Sequence, residues 1–154
     1  RPGVLDDLGL GPALKALVED FGQRTGVETE FETVVFRNRL GGDAKIALYR
    51  IAQEALTNIE RHAGATKVSI MVRGQSNGAI MRVKDNGRGF QRRDATGHPS
   101  RGLGLRNMQE RIEQLNGSLR ILSSKGGTVI EARVPLSQLL DPKSRSATDK
   151  KASA

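Results

Sequence analysis

Apolar residues recur at helical spacing in three stretches of the chain. Leu14, Leu17, Val18 and Phe21 stripe the segment Pro12–Thr25, and Gly26 stands where a helix C-cap belongs. A longer helix is predicted over about Ala44–His62. Ile46, Tyr49, Ala52 or Gln53, Leu56 and Ile59 supply its apolar face, and Asp43 its N-cap after the Gly41-Gly42 break. Leu105, Met108, Ile112 and Leu115 mark a third helix, Leu105–Leu115, closed by Asn116-Gly117.

Between these helices the period drops to two. Val27–Phe36 is rich in β-branched and aromatic residues and reads as a strand. Val68, Ile70 and Val72 alternate with polar neighbours in Lys67–Arg73, and Ala79, Met81 and Val83 do so in a strand ending at Asp85. Asn77-Gly78 between them is a strong hairpin signal. Leu119–Leu122 and Thr128–Val134 form a last hairpin about Lys125-Gly126-Gly127, while Gly87–Arg101, polar and basic, is predicted as a long loop. The order helix, strand, helix, strand, strand, loop, helix, strand, strand predicts an α/β two-layer sandwich. Its sheet is mixed, mainly antiparallel, and covered by helices on one face. The pattern fades after Pro135, so one domain is placed at residues 1–140 and a disordered basic tail at 141–154.

Composition removes whole classes of function. The 154 residues suit a single domain that needs no staple, and the absence of cysteine excludes disulfide frameworks, thiol nucleophiles and cysteine-based metal centres. Two histidines, His62 and His98, cannot build a histidine-rich metal site. No apolar run has the length of a membrane span and the start is not signal-like. A cytoplasmic, reducing compartment without membrane contact is expected. The chain opens on Arg1 rather than Met and is expected to be a piece of a longer protein.

Charge sharpens this. Of a net +8, a net +4 lies in Arg88–Arg111 and +2 in the tail, and aromatics make up only 3% of residues. A nucleic-acid surface spreads its cations along an element and interleaves them with aromatics for stacking. The clustering here predicts a local anion site and a solvated tail, with no nucleic-acid partner.

Three short motifs are left to carry chemistry. Gln53–Ala63, QEALTNIERHA, places Glu54, Asn58 and His62 at i, i+4 and i+8 on one helix strip, although alone it reads more simply as a solvated face. Asp85–Phe90, DNGRGF, puts a carboxylate at a strand end, able to accept from an exocyclic amine such as that of adenine. Gly87 and Gly89 would let backbone lie against a flat ring, and plain turn chemistry is the other reading. Arg101–Arg111, RGLGLRNMQER, sets Gly-x-Gly before a helix, where free amides and the positive end of the dipole meet an anion; a flexible loop ahead of a helix explains it as well. No G-x-x-x-x-G-K-[ST] is present, and Gly102-Leu103-Gly104 lacks the third glycine of a dinucleotide fingerprint.

Taken together and in this order, the three resemble the N, G1 and G2 boxes of the Bergerat ATP-binding fold, shared by histidine kinases, gyrase, Hsp90 and MutL. Gly126-Gly127-Thr128 resembles the further glycine-threonine box. RPGVLDDLGLGPAL, YRIAQEALTNIERHAGAT and GLGLRNMQERIEQLNG resemble, within that family, the histidine kinases paired with NarL-type response regulators. The resemblance implies an ATP- and Mg²⁺-binding catalytic domain. Asp85 would bind the adenine amine, Gly87 and Gly89 would shape the adenine pocket, and Thr128 would support it. Asn58 would ligate Mg²⁺, with Arg61 and His62 near the phosphates. Gly102, Leu103, Gly104 and Leu105 would form a lid hinge with phosphate-facing amides.

The same resemblance leaves Glu54 open between a catalytic role and orienting Asn58 and the metal shell. It implies further that the phosphoacceptor histidine sits on a dimerisation domain missing from this chain, and that a response regulator receiver domain takes the phosphoryl group. The full kinase would be a homodimer and this piece a monomer. The rivals are a stand-alone serine kinase of the anti-sigma-factor type, a degenerate module that holds a partner and no nucleotide, and, third, a basic nucleic-acid binder.

Overall fold

The computed structural model describes residues 9–34, 40–89 and 103–135. Helix α1, Leu10–Thr25, buries Leu10, Ala13, Leu14, Val18 and Phe21, a stripe at intervals of three and four. It begins two residues before the expected Pro12, because proline fits a first turn whose N–H groups have no intrahelical partner. It ends at Gly26, left-handed at φ 78°, whose N–H donates to the Gly22 carbonyl at 2.9 Å.

Strand β1, Glu28–Val34, pairs parallel with β2, Lys67–Gln75, in the register Phe31 to Ile70. Its Glu28, Glu30 and Glu32 are exposed, and such charges on an edge strand discourage pairing with another chain. Helix α2, Gly42–Asn58, follows. Its N-cap is Gly41, not the expected Asp43, whose side chain makes no capping bond; Asp43 sits inside the first turn, where its charge still favours the dipole.

The apolar face of α2 is wider than the predicted stripe. Ala44, Ala47, Leu48, Tyr49, Ile51, Ala52, Ala55 and Leu56 are all buried. Four alanines let neighbouring elements approach closely, and alanine adds little to an apolar pattern read by eye. Past Asn58 the chain widens into a π-turn, Ile59–Ala63, that ends at Gly64, left-handed at φ 58°.

Strands β2 and β3, Gly78–Asp85, are antiparallel, but their turn is shifted by one residue from the expected Asn77-Gly78. Ser76 and Asn77 form the loop, while Gly78 already pairs with Gln75 and with Pro135. Glycine is needed there because the Val134 backbone lies against its α-carbon, leaving no room for a side chain. Helix α3, Leu103–Glu113, starts two residues ahead of its predicted start. It closes through Asn116 at φ 57° and a 3.0 Å bond from the Gly117 N–H to the Ile112 carbonyl. Strands β4, Ser118–Ser124, and β5, Gly127–Pro135, complete the sheet in the order β1-β2-β3-β5-β4.

One face of that sheet builds the core. Val68, Ile70 and Val72 of β2, Ala79, Met81 and Val83 of β3, and Ile130, Ala132 and Val134 of β5 pack with Leu14, Val18 and Phe21 of α1, Leu48 and Ile51 of α2, and Met108 and Ile112 of α3. The other face mixes charged residues with a buried Ile80. Arg82 and Arg133 both donate to Glu131 there, at 2.9 and 2.8 Å, and hold its carboxyl below the usual carboxylate range. This is the mixed two-layer sandwich expected. The end of the predicted β1 beyond residue 34, Gly102, the Phe90–Arg101 part of the expected lid and the tail from residue 136 lie outside the described residues.

Candidate functional site

The period-two pattern of the core strands breaks at one end of the sandwich. Along β3 the core-facing positions run Ala79, Met81, Val83 and then Asp85; along β5 they run Val134, Ala132, Ile130 and then Thr128. The last pair are register partners, and both are buried, at 5% and 3% exposure. They are the only buried polar side chains among the described residues. Buried polar groups need partners. Asp85 Oδ1 accepts from the Gly87 N–H at 2.8 Å and the carboxyl also accepts from the Thr128 N–H, but burial outweighs both and pushes its pKa up. A carboxylate so placed gains from any further donor that reaches it. Thr128 Oγ1 lies 3.2 Å from the Ser123 hydroxyl.

Backbone packs on backbone around this pair. A side chain on Gly127 would strike the Asp85 carbonyl, and one on Gly89, left-handed at φ 77°, would strike the Ser124 carbonyl. Gly89 therefore seats the G1 loop on the β4–β5 turn, and Gly87 is buried beside Asp85. The loop is fastened on its other side by Asn86. Its Oδ1 accepts from the Thr66 and Lys67 N–H groups at 2.9 Å each, its Nδ2 donates to Thr66 Oγ1 at 2.8 Å, and its own N–H reaches the Lys67 carbonyl. The Arg88 guanidinium lies beside Gly64, where a side chain would meet it. Sequence reasoning missed Asn86 and Arg88, because both act on a connection twenty-odd residues earlier that only the β2–β3 pairing brings near.

The N-box residues divide. Asn58 is the last residue of α2, half-buried. The π-turn after it turns less per residue than an α-helix, which carries His62 off the straight strip predicted from Glu54 and Asn58. His62 Nδ1 is buried with no hydrogen-bond partner, while Arg61 is exposed. Glu54 lies against α3: a methyl built on Gly104 would overlap its carboxylate. It lines a groove of about 370 Å³ between α2 and α3 with Arg50, Gln53, Thr57, Asn107 and Arg111. Leu105 is a core residue, so only its backbone can serve a ligand, and Leu103 opens α3.

The structure thus joins Asp85, Gly87, Gly89 and Thr128 at one pole, ties that pole through Asn86 to Thr66 and Lys67 at the start of β2, and sets Glu54 against Gly104. Among the described residues no cluster of histidine, aspartate and glutamate has the make-up of a metal cage. No described helix is long and apolar enough to cross a membrane.

Known proteins resemble this chain over most of its length. The chain is 49% identical over 138 residues to the sensor histidine kinase MctS of Rhizobium johnstonii, covering 89% of this chain and 30% of that protein. It is 36% identical over 141 residues to the signal transduction histidine-protein kinase/phosphatase DegS of Bacillus subtilis, covering 89% and 37%. With the oxygen sensor histidine kinase NreB of Staphylococcus carnosus it shares 34% over 137 residues, covering 88% and 39%. The chain thus spans about a third of the length of these relatives.

Solved structures share the fold at lower identity. The histidine kinase domain of the Erythrobacter litoralis EL346 blue-light activated kinase superposes with a TM-score of 0.67 at 21% identity, covering 84% of this chain and 62% of that one. The nucleotide-free catalytic domain of histidine kinase ThkA gives 0.63 at 16%, covering 82% and 90%. Residues 43–138, most of the chain, match the family model for histidine kinase-, DNA gyrase B-, and HSP90-like ATPases, and to that family the chain belongs.

Proposed function

We propose that this chain is the ATP-binding catalytic domain of a two-component sensor histidine kinase. It binds ATP with Mg²⁺ and holds the γ-phosphate for transfer to a histidine on a dimerising phosphoacceptor domain. From that histidine the phosphoryl group passes to a response regulator receiver domain. Asp85 carries the reading: a carboxylate that is buried, pushed up in pKa and answered only by backbone N–H groups suits an adenine amine. His62 supports it with a buried nitrogen that has acceptor or donor capacity to spare, at the end of the helix that carries Asn58.

Each residue then has a task. Asp85 orients the base, Thr128 backs it, and Gly87 and Gly89 keep the loop flat beside it. Asn58 would hold the cation through its amide oxygen, with Arg61 and His62 toward the phosphates. Bound Mg²⁺ would neutralise phosphate charge as it develops. The Leu103, Gly104 and Leu105 amides in the first turn of α3 would meet the same negative charge, with Gly102 just before them in sequence. The chain contributes orientation and charge stabilisation, which supply most of the rate in phosphoryl transfer. A cytoplasmic site of action, without nucleic acid or membrane contact by this domain, fits the same reading. The relatives' names favour the histidine kinase over a stand-alone serine kinase, and Asp85 with its glycines favours a nucleotide site over a nucleotide-free module.

The test is calorimetry with ATP and GTP. Guanine presents a carbonyl where adenine presents its amine, and a carboxylate facing that carbonyl leaves two acceptors opposed. ATP should bind at least about tenfold tighter than GTP. Equal affinities remove Asp85 from the base pocket.

A further inference from the structure

We propose that Glu54 is a positioning residue: its carboxylate, seated on Gly104, holds the first turn of α3 against α2 and so fixes the gap that the γ-phosphate enters. The inference rests on the ATP-binding function proposed above. Gly104 is the second residue of α3, and a methyl on its α-carbon would overlap the Glu54 Oε1 and Cδ and stand 2.8 Å from Cγ. The Glu54 side chain thus fills the place where any other residue would carry its β-carbon. The backbone of Gly104 is not in the left-handed region, so its torsions do not demand glycine; the seat does.

Charge favours the same arrangement. The first N–H groups of a helix lack intrahelical partners, and a carboxylate beside them is attracted to the positive end of the dipole. The contact joins two elements that otherwise meet the ligand separately. Glu54 stands one turn before Asn58 on α2, and Gly104 lies within the amides expected to face phosphate. Among the described residues no hydrogen bond links Glu54 to Asn58, so the side chain reaches across to α3 rather than along its own helix. Leu105, Met108 and Ile112 anchor α3 to the core, whereas Gly104 itself brings no side chain to hold its turn.

The experiment measures ATP and ADP affinity, each with Mg²⁺, for this chain and four variants. The ATP-to-ADP ratio isolates the γ-phosphate, and ADP affinity reports the fold and the base pocket. Gly104→Ala evicts the carboxylate and should cut the ratio by about tenfold, and Glu54→Ala should do the same. The double variant should be no worse than either single one, because the methyl then fits a vacated seat. Glu54→Gln, which refills the seat, should restore most of the ratio. Losses that add in the double variant would mean that the methyl obstructs the phosphate directly, and the inference falls. Glu54→Gln as poor as Glu54→Ala would also overturn it. Should Gly104→Ala lose ADP binding and fold together, the contrast between Glu54→Ala and Glu54→Gln decides alone. Wild-type chain that binds ATP no better than ADP sinks the inference and leaves the adenine site standing; wild-type chain that binds neither sinks both.

Discussion

Asp85 sets function against stability in one side chain. Folding raises its pKa, so the carboxyl favours the fold only while protonated. That contribution is complete below the unfolded value near 3.8 and is lost as pH rises through the folded value. Asp85→Asn keeps an oxygen for the Gly87 and Thr128 N–H groups but carries no charge. The nucleotide-free variant should therefore melt higher than wild type at neutral pH, with the difference closing in acid, while ATP affinity falls by about ten- to a hundredfold. Thermal scans across pH and calorimetry measure the two sides; a variant that melts lower at pH 7 would contradict the burial argument. Asn58→Ala should cost Mg²⁺-dependent ATP binding more than binding of an adenine nucleotide without metal, and equal losses would make Asn58 structural. Asp85 was legible in the sequence as a carboxylate at a strand end ahead of two glycines, Asn58 only as one member of a polar helix strip, and Thr128 only through the resemblance. Asn86 and Arg88 interrupt nothing, and polar residues in a turn carry no period to break.

Elements were easier to find than their ends. The helical stripes and the alternations come from burial on one face, which acts over the whole length of an element. Ends are decided by single contacts. The β2–β3 turn moved because the Val134 backbone claims the space at Gly78, and the N-cap of α2 moved from Asp43 to Gly41. The π-turn had no sequence signal at all, since one extra residue per turn changes neither composition nor apolar spacing enough to see. Beyond that turn, Asn86 fastens the loop after β3 to the start of β2. Asn86→Ala leaves the Thr66 and Lys67 N–H groups to water and removes the tie to the G1 loop, at a cost of about 1–2 kcal/mol. Urea unfolding measures it. A loss below about 0.5 kcal/mol would mean that the loop is held by its backbone packing instead.

At the scale of the molecule, the sheet topology was legible only in part. Hairpins predicted the antiparallel pairs, but the placement of β5 between β3 and β4, and of β1 parallel beside β2, depends on contacts between distant segments. In the function proposed above, the site those contacts assemble donates a phosphoryl group to a histidine on another domain. His62 is committed to the N-box turn, and His98 lies outside the described residues. Incubated alone with radiolabelled ATP, the chain should therefore carry no acid-labile label. A dimerising hairpin from the parent kinase, added as a separate polypeptide, should become labelled weakly, because the effective concentration of a covalent link is missing. Strong acid-labile label on this chain alone would overturn the domain assignment. Acid-stable label on a serine-bearing partner would favour the serine kinase.

The partnership of Asp85 with Thr128 also orders events in time. These neighbours in the sheet are separated in the chain by the G1 loop, the whole of α3 and β4, so their pairing closes one of the longest loops in the fold. Such closures come late on a folding pathway, after local hairpins have formed. With the base site proposed above, the pocket is expected only in molecules that have completed the sheet, and partly folded chains should offer nucleotide no competing foothold. Nucleotide bound at that proposed site should act as a clamp on the last step, slowing reopening of the β3–β5 seam more than fraying of β1. Amide hydrogen exchange should show this as protection concentrated at the Asp85 end of that seam when ATP is present.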